Sequence, residues 1–170
     1  MRKTGFFAVY VILVVAQLLL SNYFHLTQYI LLTILPVMVL CIPLKISTSI
    51  TMLIAFATGL IVDLLSEGLL GLNALALVPV AFARKEMVRL LFGEELLARG
   101  EDFSVRRSGL GQVVLAMVLA QALFLFIYIW ADSAGTRPFW FNFVRFICSL
   151  PAGVLVSLLV VDTLAPDSRK

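Results

Sequence analysis

Six long apolar stretches, at roughly 4–21, 27–44, 46–66, 68–83, 109–130 and 139–161, take up most of this 170-residue chain. About 20 apolar residues is the length that crosses the hydrocarbon of a bilayer as a helix. Hydrophobic residues make up 62% of the chain and charged ones 14%, where soluble domains carry ~45–50% and ~25%. A soluble fold of this size has no interior large enough to hide that much apolar surface. The expected fold is therefore all-α: a single polytopic membrane domain, residues 1–170, with six transmembrane helices. The spans leave room for short loops and one longer connector, residues 84–108, and for no separate enzymatic domain.

The connections set the expected orientation. The first loop, Ser21 to Leu26, has no Lys or Arg; the second is Pro43-Leu44-Lys45; the third, at Glu67-Gly68, is so tight that spans three and four form a hairpin. The fourth stretch is short and holds Pro79. With six spans and the N-terminus inside, the cytoplasmic side receives Arg2, Lys3, Lys45, Arg84, Lys85, Arg89, Arg99, Arg106, Arg107, Arg169 and Lys170, leaving only Arg137 and Arg145 toward the outside. The positive-inside rule then places both termini in the cytoplasm. Trp130, Trp140 and Tyr23 fall at the outer ends of their spans, as an aromatic belt does. Met1-Arg2-Lys3 and the apolar run after it imitate a signal peptide. Ser21-Asn22-Tyr23-Phe24 offers no small-x-small cleavage site, so the run reads as a retained first span.

In the connector, Lys85 to Arg99 carries Met87, Leu90, Leu91 and Leu97 at helical spacing, opposed by Glu86, Glu94, Glu95 and Arg99, and interrupted by Gly93. It reads as one or two short amphipathic helices on the cytoplasmic membrane surface, either resting on headgroups or offering a docking platform. Cys41 and Cys148 lie in apolar runs at different depths, so no disulfide is expected. The net charge of +3 is dispersed over span ends and forms no basic stripe, which argues against nucleic acid as a partner.

Two spans carry polar or small ridges. In the third, every fourth residue reads Ser47, Thr51, Ala55, Gly59, Asp63, Glu67, and Ala55-x-x-x-Gly59 is a small-xxx-small surface suited to close helix packing. The sixth has Arg145, Ser149, Gly153 and Ser157. Intramembrane charges are costly and usually find a partner. Asp63 and Arg145, at similar estimated depth, are the expected pair, with Glu67, Asn73 and Asn142 as substitutes. The alternative is that Asp63 is a helix-end acid and that Arg145 snorkels outward. The middles of spans one, two and five are apolar save Gln17 and Gln121.

No catalytic set, metal-ligand spacing or cofactor motif can be assembled from these residues, and His25 stands alone in the first outer loop. An enzyme is not expected, although Asp63 leaves an intramembrane enzyme as a third reading behind the two below.

The tract from Gly59 through Asp63, Glu67-Gly68, Gly71 and Asn73 to Leu75 resembles the signature of the rod-shape-determining MreD family: a Gly, an Asp four residues on in an apolar helix, a short turn, then a Gly before a small-residue helix. The motif covers about residues 46–83; elsewhere the likeness is one of layout, and Glu67 departs from the small residues usual at that turn. The resemblance implies a non-catalytic subunit of the bacterial cell-elongation machinery in the cytoplasmic (inner) membrane. That subunit would bind a bitopic MreC-type partner and work with a RodA-type glycosyltransferase, a penicillin-binding transpeptidase and an MreB-type filament. It also implies similarity to the six-helix substrate-binding subunits of energy-coupling-factor transporters. Helix-packing or partner-binding candidates are Ala55, Gly59, Asp63, Gly71, Asn73, Arg145, Ser149 and Gly153. The alternative reading, a transporter subunit with an outward-facing small-molecule pocket, calls for a polar lining over several spans.

The orientation is open to a direct check. A membrane-impermeant thiol reagent applied from outside should modify Ala134→Cys and leave Glu94→Cys untouched; the reverse pattern overturns the orientation.

Overall fold

A computed structural model describes residues 3–23, 30–66, 69–93, 110–134 and 136–164. Its helices are α1 (Lys3–Tyr23), α2 (Leu35–Leu40), α3 (Thr48–Leu65), α4 (Leu72–Phe92), α5 (Leu110–Ser133) and α6 (Phe139–Leu164). Among the described residues, Thr48–Leu65, Gly111–Ser133 and Phe139–Val160 are long and apolar enough to cross a membrane, and α1 holds a shorter apolar helical stretch, Ala8–Asn22. The chain is thus an all-helical protein with the character of a membrane protein.

Two expectations need correction. The second apolar stretch is not one helix: among its described residues Ile30 to Ile34 are non-helical, and Leu35–Leu40 form α2. Pro36 sits in the first turn of α2. Its ring would clash with the carbonyl of Leu32 if the helix ran on toward the N-terminus, and it has no N–H to donate. The fourth helix, in turn, is longer than its apolar stretch. It runs through Pro79 to Phe92, carrying Arg84 to Phe92 out of the expected connector. Val80, Arg84 and Val88 are buried one turn apart, so a single inward face continues past the point where charged residues begin. Gly93, with φ +79, ends the helix by donating its N–H to Arg89 O at 3.0 Å. Residues beyond it, including Glu94, Glu95, Leu97 and Arg99, lie outside the described part, as do His25 and Glu67.

Hydrogen bonds fix the helix directions. The Tyr10 and Thr58 hydroxyls lie 2.9 Å apart, and Asn22 Nδ2 donates to Leu65 O at 3.4 Å, so α1 and α3 run the same way. The chain between them must therefore return along the bundle, and residues 30–42 make that return. Leu31 N–H donates to Ser149 Oγ on α6 at 2.8 Å, and Ile34 N–H to Gln17 Oε1 on α1 at 2.8 Å. Gln121 Nε2 on α5 donates to Thr33 O at 3.4 Å. At the far end the Arg84 guanidinium donates to Ile42 O, and to Thr51 Oγ1 near the start of α3 at 3.4 Å. Every residue of α2 is buried, in a core shared with Leu77 and Val80 of α4 and Met117, Ala120 and Phe124 of α5.

Gln17 is 3% exposed and holds the middle of the returning strand. Gln17→Leu strands the Ile34 N–H in an apolar core, a loss of about 1–3 kcal/mol. Thermal unfolding in detergent should show a clear fall in midpoint, and Gln17→Glu should lose less at a pH low enough to protonate its carboxyl, where it keeps the acceptor without burying a charge. Equal losses from the two would reject this role.

Candidate functional site

The ridge of α3 is turned on α4. Thr51, Ala55, Gly59 and Asp63 are all buried. At Gly59 a Cβ would collide with Ala74 backbone atoms and lie 2.8 Å from the Asn73 carbonyl carbon, so only glycine allows this crossing. One turn further on, the close approach brings Asp63 to the start of α4. Its carboxylate accepts the Gly71 N–H at 3.0 Å, the Asn73 N–H at 3.1 and 3.2 Å and the Ala74 N–H at 3.4 Å. Asn73 Nδ2 donates to it at 2.8 Å. The first N–H groups of a helix have no partner within it and form the positive end of its dipole. An acid from the neighbouring helix supplies what a local capping residue would, since Gly71, the α4 N-cap at φ +93, has no side chain to do so.

This arrangement overturns the Asp63–Arg145 pair. Asp63, 2% exposed, takes its described bonds from backbone N–H groups and from Asn73, one of the expected substitutes. Arg145 pairs instead with Asp132 at 2.6 Å, and Arg137 approaches the same carboxylate at 4.0 Å. Asp132 lies in the last turn of α5, where it faces the start of α6. Asn142 Nδ2 donates to Ser133 Oγ at 2.9 Å and ties the same two helix ends. The two acids thus sit in separate hairpins, each joined to the helix that follows it in sequence.

The α6 ridge has a different use from that expected. Ser149 accepts the Leu31 N–H, and a Cβ at Gly153 would run into the Gln121 side-chain amide. Gly153 therefore makes room for the side chain that reaches Thr33 O. Cys41 and Cys148 are free thiols.

Sequence reasoning missed Arg84 and the joint role of Gln17, Gln121 and Thr33. Arg84, counted among connector charges, is 1% exposed inside the bundle. The available signal was polar side chains inside apolar runs, which rarely go unused. Among the described residues, no group of three or more His, Cys, Asp or Glu side chains is placed to hold a metal ion. No protein-family profile, curated protein or solved structure matches the chain.

Double-mutant cycles should separate the two hairpins. Asp132→Asn with Arg145→Gln should be strongly coupled, since the two form the close pair and removing Asp132 strands the largely buried Arg145. Asp63→Asn with Arg145→Gln, which share no hydrogen-bond partner among the described residues, should add to within about 0.5 kcal/mol. Folded yield and thermal midpoint in detergent are the readouts, and coupling in the second cycle would contradict this assignment.

Proposed function

We propose that the chain is a multi-pass, non-catalytic subunit of the bacterial cell-elongation complex, acting as a scaffold in the cytoplasmic membrane for a bitopic MreC-type partner. The observation that carries this reading is the Gly59–Asp63–Gly71–Asn73 knot. The residues that resemble the MreD signature are the ones that lock α3 to α4. Their chemistry is spent on fixing a hairpin. The outer side of that hairpin exposes Ile61, Leu64, Leu65, Leu69, Leu70 and Leu75, an apolar tip against which a single partner span can pack.

In this reading the chain crosses six times, its second crossing made by residues 27–44 as a broken segment, with both termini cytoplasmic. Lys45, Lys85 and Arg89 then lie toward the cytoplasm, and Arg137 and Arg145 toward the outside. A RodA-type glycosyltransferase, a penicillin-binding transpeptidase and an MreB-type filament are reached directly or through the MreC-type protein.

One observation favours the transporter alternative, with its likeness to energy-coupling-factor subunits: transporters commonly build binding sites from unwound membrane segments. Here Leu31, Thr33 and Ile34 are already hydrogen-bonded to Ser149, Gln121 and Gln17, and this satisfaction supports the scaffold.

Co-expression with an MreC-type protein and affinity capture in detergent tests the proposal. The complex should be recovered, and Leu64→Ala with Leu70→Ala should reduce it severalfold at unchanged folded yield. Absence of capture, together with saturable vitamin binding in nanodiscs, would replace the scaffold by the transporter subunit.

A further inference from the structure

Where α5 turns into α6, two guanidinium groups face one carboxylate. Arg145 and Asp132 are the tight pair, at 2.6 Å, with side chains only 13% and 20% exposed. Arg137 stands 4.0 Å from the same carboxylate and is 45% exposed. Because Arg145 already neutralises Asp132, Arg137 is the surplus cation of the turn between α5 and α6. Its guanidinium lies over the Phe141 ring, 5.2 Å from the centroid, which holds the charge at the aromatic surface.

That surface is broad and open. Phe139 and Trp140 are about 70% exposed (68% and 71%). Trp140 stacks on Phe143 with centroids 5.9 Å apart, and Phe139 meets Trp130 edge-on at 6.2 Å. Trp rings at a helix end, here Trp130 and Trp140, are the mark of the membrane–water boundary, the level at which lipid phosphates lie. A cation there has acyl chains on one side and headgroups on the other.

We propose that Arg137, with Phe139, Trp140 and Phe141, forms a binding site for the headgroup of an anionic phospholipid at the outer membrane interface. Arg137 takes the phosphate, and the exposed rings pack on the glycerol and the upper acyl chain. The site rests on the membrane reading and on the orientation that puts Arg137 outside, and it is independent of the elongation-complex assignment, because it needs no protein partner.

The chain supplies its own reporter, since Trp130 and Trp140 are its only tryptophans and both lie here. With Trp130→Phe in the full chain, reconstituted in bilayers, Trp140 fluorescence is read as brominated phosphatidylglycerol or brominated phosphatidylcholine replaces the unlabelled lipid. The anionic lipid should reach half-quenching at about a fivefold lower fraction, the preference expected of one basic residue near the surface. Arg137→Gln should bring that ratio to one, and Arg137→Lys should keep most of it. Equal quenching by both lipids, or a preference that survives Arg137→Gln, would overturn the site. Loss of the preference on adding excess inorganic phosphate would also overturn it, assigning Arg137 to a free anion. Arg137 is exposed and is not the close partner of Asp132, so its replacement leaves the Arg145 pair in place. The original two-tryptophan chain, titrated with and without Arg137→Gln, checks that Trp130→Phe is silent.

Discussion

In hydrocarbon a backbone N–H or C=O without a partner costs several kcal/mol, because no water is available to take its place. Residues 30–34 break the helical ladder in the middle of the bundle, and the arrangement of the other helices answers that break. Gln17 on α1, Gln121 on α5 and Ser149 on α6 each send a side chain to it, while Arg84 on α4 holds the carbonyl end of α2. The side chains that join the returning strand to these helices are the ones that satisfy its backbone. A purely apolar set of helices would pack equally well in many rotations, and these bonds select one.

The α3–α4 hairpin solves a related problem by another route. The open N–H groups of α4 meet a carboxylate from outside the helix, and the meeting depends on Gly59 one turn before Asp63. Small residue and acid are thus one device: the first sets the distance between backbones, and the second uses it. At the other hairpin the same end of the bundle is joined by a true ion pair, Asp132 with Arg145. A charge that meets dipoles and a charge that meets its opposite are both desolvated, and neither is exchangeable with the other.

Much of this was legible from pattern. The first, third, fifth and sixth apolar stretches coincide with α1, α3, α5 and α6 to within a few residues, because uninterrupted apolar runs of that length leave few alternatives. The buried ridges of α3 and α6 follow from four-residue spacing. The break at Pro36 was not legible, since Pro79 and Pro151 lie inside helices that continue through them. What distinguishes Pro36 is the presence of Gln17, Gln121 and Ser149 across the bundle, which sequence spacing along one helix does not reveal. Arg84 was misplaced for a similar reason: its charge marked the end of hydropathy, while the buried face of α4 ran on to Val88. Asp63 and Arg145 matched in sign and depth, but depth says nothing of azimuth, and each acid turned to the helix next in sequence.

The bonds that hold the broken segment reach far along the chain. The Thr33 carbonyl is satisfied from 88 residues downstream and the Leu31 amide from 118 residues downstream. At ~5–20 residues per second, translation needs roughly 6–24 s to deliver the second of these. During that interval Gln17 on α1 is already in place to accept the Ile34 N–H, while the partners of Leu31 and Thr33 are still to be made. The bonds to this segment are complete only once α5 and α6 are present. The segment is a late element of assembly, and truncation before Ser149 removes the acceptor of the Leu31 N–H.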